Sequence, residues 1–192
     1  MWLDLVKQAR GGEEPIELNW KPFSLDQVNQ KVGEDYRVWS EPEENIPDRV
    51  WGLRAGVAAG RQGADALRRF MPLLLKARHD ARENLGDMAV LTRVAAEAGL
   101  DVERFERDVK DRSSLEEVAA SHESAVEQHG VFGTPTFVFE NGTSTFLKLI
   151  RPDTPEQADA AFDHVLGLME ANAYVGEIKR PQPPWPTGVF GR

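Results

Sequence analysis

From Pro47 to Gln128 the apolar residues recur every third or fourth position, and no alternating β-branched run interrupts them. That spacing commits the stretch to helix. Segments with a period of two flank it, so the chain has to join a long helical run to strands on both sides. Breaks at Gly60 to Gly63, Asn84 to Gly86, Gly99 to Asp101 and Asp111 to Ser113 divide the run into four or five helices. Ser113 followed by Glu116 has the spacing of a capping box, which predicts the start of the last helix there. No internal repeat is evident.

Ahead of the run, residues 2–9 place Trp2, Leu5, Val6 and Ala9 on one helical face, and Gly11 and Gly12 end the helix. Between Ile16 and Lys21 the pattern switches: Ile16, Leu18 and Trp20 alternate with Glu17, Asn19 and Lys21 before Pro22, which predicts a strand. Residues 24–46 are polar and mixed, an ordered loop in which Ser24 is a candidate helix cap. Behind the run, Thr136 to Phe139 is a short apolar strand, Asn141 and Gly142 suit a type I′ hairpin turn, and Thr145 to Ile150 resumes the strand. Thr154, Pro155 and Gln157 then supply a cap, a first-turn proline and a capping-box partner for a helix to about residue 172. Its expected buried stripe is Ala158, Ala161, Phe162, Val165 and Met169. From Arg180 onward Pro181, Pro183, Pro184 and Pro186 surround Trp185, which predicts an extended tail with that ring as its only anchor.

Composition removes several functions. With 32 acidic against 23 basic side chains and a net charge of -9, the chain lacks the basic surface that a phosphate backbone requires, so nucleic acid is not an expected partner. No apolar run reaches the length of a membrane-spanning helix, and the first residues lack a signal peptide's pattern, so a soluble, cytoplasmic protein is expected. None of the 192 residues is cysteine. Disulfides, thiolate metal sites and a cysteine nucleophile are therefore all outside its reach.

Few other groups suggest chemistry. His79, His122, His129 and His164 have no metal-ligand spacing, and no metal site is expected. His79 with Asp80 and Glu83 reads as a solvated helix face. His129 lies just before the hairpin segment, where a helix C-terminus accounts for it. The acidic runs Glu41, Glu43, Glu44 and Glu116, Glu117 are expected on the surface. Trp20, Trp39 and Trp51 are candidates to flank a ligand cleft, with core packing the expectation for Trp20. Phosphate-cradling glycine motifs and the GxSxG elbow are absent. No catalytic residue is assigned.

The residues that carry the functional argument are Gly133, Thr134 and Pro135. A proline directly before a strand removes a ladder donor and belongs at the strand's first position. Combined with a strand ending Trp20-Lys21-Pro22-Phe23, a helical insertion, and the run Gly130-Val131-Phe132-Gly133-Thr134-Pro135-Thr136-Phe137 before a hairpin and helix, it resembles the DsbA-like branch of the thioredoxin superfamily. That branch includes disulfide oxidoreductases, 2-hydroxychromene-2-carboxylate isomerases and kappa-class glutathione transferases. The likeness runs from Met1 to about Asn172 and implies an α/β, thioredoxin-like fold with a large all-helical insertion. It assigns residues 1–23 and 130–172 to the thioredoxin-like part, 47–128 to the inserted domain and 173–192 to a proline-rich tail. It also implies that Pro135 is cis and that Gly133, Thr134 and Pro135 line a cleft for a thiol compound, glutathione or an extended peptide.

One departure stands out. The family's first strand, ending in Cys-x-x-Cys or a serine at the N-terminus of the first helix, has no counterpart here. A helix N-terminus suits a thiolate because its free amides and positive dipole end stabilise the charge. Since that strand is central in the family, three arrangements are expected to account for its place: an upstream segment, a strand donated by another copy or a partner in a homo-oligomer, or repacking of the remaining strands. The resemblance thus leaves three functions open: a redox-inactive oxidoreductase relative, a non-catalytic thiol- or peptide-binding protein, and a glutathione-dependent isomerase or transferase. No cofactor is required, with glutathione the candidate under the third.

Overall fold

A computed structural model describes residues 2–149, 152–172 and 174–178. The chain divides into two compact units, one formed by residues 1–19 with 134–192 and the other by residues 20–133.

In the first unit, α1 (Trp2–Ala9) packs on α8 (Pro155–Ala171). Leu5, Val6, Ala158 and Phe162 form their shared core, with Trp2, Leu3, Ile16 and Leu166 against it. Trp2 also donates its indole N–H to the Ala158 carbonyl at 3.2 Å. Arg10 reinforces the pair: its guanidinium bonds Asp159 and Asp163 and lies 4.9 Å above the Phe162 ring. Two expected stripe members, Ala9 and Ala161, are exposed instead. Leu3 and Leu166 pack against that core. Gly11 and Gly12 end α1 with φ of 69° and 96°, as a left-handed C-terminus requires.

The hairpin is antiparallel, β1 (Thr136–Val138) against β2 (Ser144–Phe146), with Phe137 opposite Thr145. These strands are shorter than expected, and residue 150 of the expected second strand lies outside the described residues. Nor is the turn type I′, which needs positive φ at two central residues. Only Gly142 has it, at 83°. Phe139 bonds across to Thr143 and its carbonyl accepts from Gly142 N–H, so Glu140, Asn141 and Gly142 form a three-residue loop closed by a left-handed glycine. Asn141 is occupied otherwise: its Oδ1 accepts from Thr143 N–H at 2.9 Å and its Nδ2 donates to the Glu170 carbonyl at 3.0 Å. Thr145 adds a second tie from hairpin to helix by donating to the Met169 carbonyl at 3.0 Å.

The second unit is helical. After α2 (Leu25–Val28), capped by Ser24, and two 3-10 turns at Val38–Ser40 and Glu43–Asn45, five helices follow. They are α3 (Asp48–Gly60), α4 (Ala64–His79), α5 (Met88–Glu97), α6 (Val102–Lys110) and α7 (Ser113–His129). α3 reads Ala55, Ala58, Ala59 along its buried side, so its neighbours come close, and Phe70 meets Phe105 across the core at 5.4 Å between ring centres. At the start of α7 the expected Ser113 cap is not formed. Asp111 Oδ1 accepts the Ser113 N–H at 2.9 Å, and the Ser113 hydroxyl accepts from Arg61 instead.

The predicted strand at Ile16 to Lys21 is also not formed. Its burial still alternates residue by residue, but a strand exists only through ladder bonds to a neighbour, and among the described residues the one ladder is β1 with β2. Of the tail, residue 173 and residues 179–192 lie outside the described residues, and with them Trp185 and its prolines.

Candidate functional site

At the entrance to β1 the Thr134–Pro135 peptide bond is cis. Thr134 and Pro135 are exposed, whereas Gly133 is buried. The Pro135 carbonyl accepts from Leu147 N–H at 3.1 Å, and Phe139 pairs with Thr143, so odd-numbered backbone groups of this run face β2. Strand geometry alternates the direction of successive amides. Val138 therefore turns its amide and carbonyl to the opposite edge, and Thr134, directly before the strand, makes no hydrogen bond with any described residue. An exposed backbone amide and carbonyl beside a strand offer what an added extended segment would pair with.

In the helical unit, His122 on α7 is a buried titratable side chain. It is 5% exposed, 4.4 Å from the Phe23 ring and 5.3 Å from the Trp39 ring. The Ser24 N–H donates to its Nδ1 at 3.2 Å, so the ring carries its proton on the other nitrogen. Burial, with the Arg37 charge second, pushes its pKa below the ordinary value of 6.5. Ser121 beside it donates to the Pro22 carbonyl at 2.9 Å, so α7 pins the Pro22-Phe23-Ser24 segment at two points. The arrangement is an anchor for a loop rather than an acid or base open to substrate.

His129 is half-buried, and His79 and His164 are exposed. Among the described residues no group of three metal-binding side chains occurs. Trp51 stacks under the Arg54 guanidinium at 4.2 Å and Trp39 packs on His122, which fixes both rings inside the helical unit. A shallow depression of about 290 Å³ lies between Asp26, Pro47, Asp48, Arg49, Arg78, Asn84 and Leu85. Its charges are largely matched: Arg49 bonds Asp26 at 2.7 Å and Asn84 bonds Asp48 at 2.9 Å.

Sequence spacing held a signal for His122 that composition did not. It falls on the buried line of Leu115, Val118 and Ala119 in α7, a position where a polar ring needs a partner. That the partner is a backbone amide 98 positions earlier in the chain has no local signature.

A helical region followed by a β-hairpin entered at Thr134–Pro135 and a closing helix is the order of a thioredoxin-like protein with a helical insertion. Residues 3–158 match the DSBA-like thioredoxin domain, and the chain belongs to that family. It is similar to the uncharacterized protein Rv2286c of Mycobacterium tuberculosis, 25% identical over 96% of this chain and 76% of that protein. It is also similar to the ClpXP adapter protein SpxH of Bacillus subtilis, 27% identical over 56% of this chain and 36% of that protein. No described helix is long and apolar enough to cross a membrane.

Proposed function

We propose that this chain is a binding member of the DsbA-like family, one that holds an extended peptide or a small thiol compound at Gly133, Thr134 and Pro135 without exchanging disulfides through its own residues. The observation that carries this reading is an exposed Thr134 without a hydrogen bond, directly before β1, in a chain without cysteine. An incoming extended segment gains main-chain hydrogen bonds there, and it needs no thiolate to do so. Thiol exchange, by contrast, requires an attacking thiolate, which none of the 192 residues supplies. The likeness to a protein named as a ClpXP adapter supports a role in binding over one in chemistry.

The test is an amide-resolved NMR titration with a cysteine-free extended peptide and, separately, with reduced glutathione. Shifts at the Thr134 and Val138 amides, retained in Thr134→Ala because the backbone makes the bonds, are the expected outcome. A peptide and a glutathione arm that both leave these amides unmoved would sink the reading. A response to glutathione alone assigns the site to a thiol compound and favours the isomerase or transferase alternative.

A further inference from the structure

The Asn141–Gly142 pair that closes the hairpin belongs to the residue pairing most prone to spontaneous amide loss, because a glycine on the C-terminal side leaves the attacking backbone nitrogen unshielded. Here the fold holds both reactants away from that reaction. Gly142 N–H donates to the Phe139 carbonyl at 2.9 Å, which turns the nucleophile inward. The Asn141 side chain is held at both ends, Oδ1 by Thr143 N–H at 2.9 Å and Nδ2 on the Glu170 carbonyl at 3.0 Å. Attack needs Cγ to meet the Gly142 nitrogen, so the Gly142 bond and the side-chain tether have to open together.

The geometry points to Asn141 as a self-modification site that the fold guards and whose product releases the hairpin tip from α8. In the reaction the Gly142 nitrogen gives up its proton and bonds Cγ of Asn141, the Cγ–Nδ2 bond breaks, and ammonia departs with that proton. Water then opens the cyclic imide, at Cγ to give aspartate or at the backbone carbonyl to give isoaspartate. No oxidant or second substrate is involved.

The product cannot restore the tether. Aspartate replaces the Nδ2 donor with a carboxylate oxygen, which faces the Glu170 carbonyl, acceptor against acceptor. Glu170 is in the last turn of α8, where the helix dipole is negative, so the new charge is repelled as well. Thr145 remains bonded to Met169 and keeps the base of the hairpin attached. Release is therefore confined to the tip, and it runs one way.

The experiment ages the full chain in mildly alkaline buffer, folded and in concentrated urea, and follows the Asn141 peptide by mass spectrometry. We expect conversion at least about tenfold slower in the folded chain, since the reactive geometry is reached only through local opening. Equal rates would overturn the guard. The deamidated fraction, separated by anion exchange, and Asn141→Asp should both lose the proton NOE contacts between residue 141 and Glu170, with hydrogen exchange in α3 to α7 unchanged. Retention of those contacts in the separated fraction would overturn the release, and that material gives its answer even if the variant folds poorly.

Discussion

Arg54 is fully buried, and its guanidinium is satisfied by the Ser114 hydroxyl at 2.9 Å, Glu43 at 2.5 Å and the Asp111 carbonyl at 3.3 Å. It joins the loop before α3 to the start of α7, so its loss would leave polar groups of that junction without their partner. Because Glu43 remains about 40% exposed and can return to water, Arg54→Met should cost about 2 to 3 kcal/mol, below the ~3–5 typical of a broken buried pair. Urea denaturation measures it. His122 gives the second prediction at this scale. Its pKa is lowered in the folded state, so the unfolded chain binds the proton more readily. Stability from this group is complete above the ordinary value of 6.5 and is lost as pH falls from there toward the lower folded value. A urea midpoint series across this window should fall toward acid in the native chain and flatten in His122→Asn, whose Oδ1 can take the Ser24 N–H at any pH. Both residues fall within apolar helical spacing, though neither was singled out in the sequence. Their partners were not legible there, because they come from segments far away in the chain.

Among the elements, helix ends tested local rules most closely. Thr154 caps α8 by accepting Gln157 N–H at 3.3 Å, and the Gln157 side chain reaches back to Asp153 N–H at 3.1 Å. Thr154→Ala should therefore cost about 1 kcal/mol, seen as a lower thermal midpoint. Ser113 has the same spacing to Glu116 and forms no cap, because Asp111 reaches the first-turn amide and Arg61 claims the hydroxyl. Capping motifs read from sequence hold only where no third residue competes. A tight approach makes another prediction: a Cβ on Gly86 would lie 2.3 Å from Asp48 Oδ1. Gly86→Ala should push Asp48 away, break its bond from Asn84 and destabilise the helical unit by about 1 to 3 kcal/mol, again readable in urea. The hairpin shows a different limit. Its position followed from the apolar runs and turn residues, but the turn type and register did not: a two-residue turn at Asn141 and Gly142 would set Phe139 opposite Ser144, whereas the three-residue loop sets Val138 there.

For the molecule as a whole, the chemistry is bounded by what the chain lacks. With no cysteine, these 192 residues should reduce insulin no faster than buffer with dithiothreitol alone. Turbidity that rises above that background would contradict the assignment of the chain as a binding protein. Local pattern was enough for a block of four or five helices, the place of the hairpin, α1, α8 and the absence of thiol chemistry, since periodicity, caps and residue type act over a few positions. The sequence also carried the family, through the order of those elements and the Gly133-Thr134-Pro135 run. Tertiary structure alone decided three things. The alternating segment at Ile16 to Lys21 is not a strand, for a strand needs a neighbour to bond. Asn141 ties the hairpin to α8, and His122 anchors the segment before α2. Each depends on a partner brought close by folding, and no local pattern of residues encodes that partner.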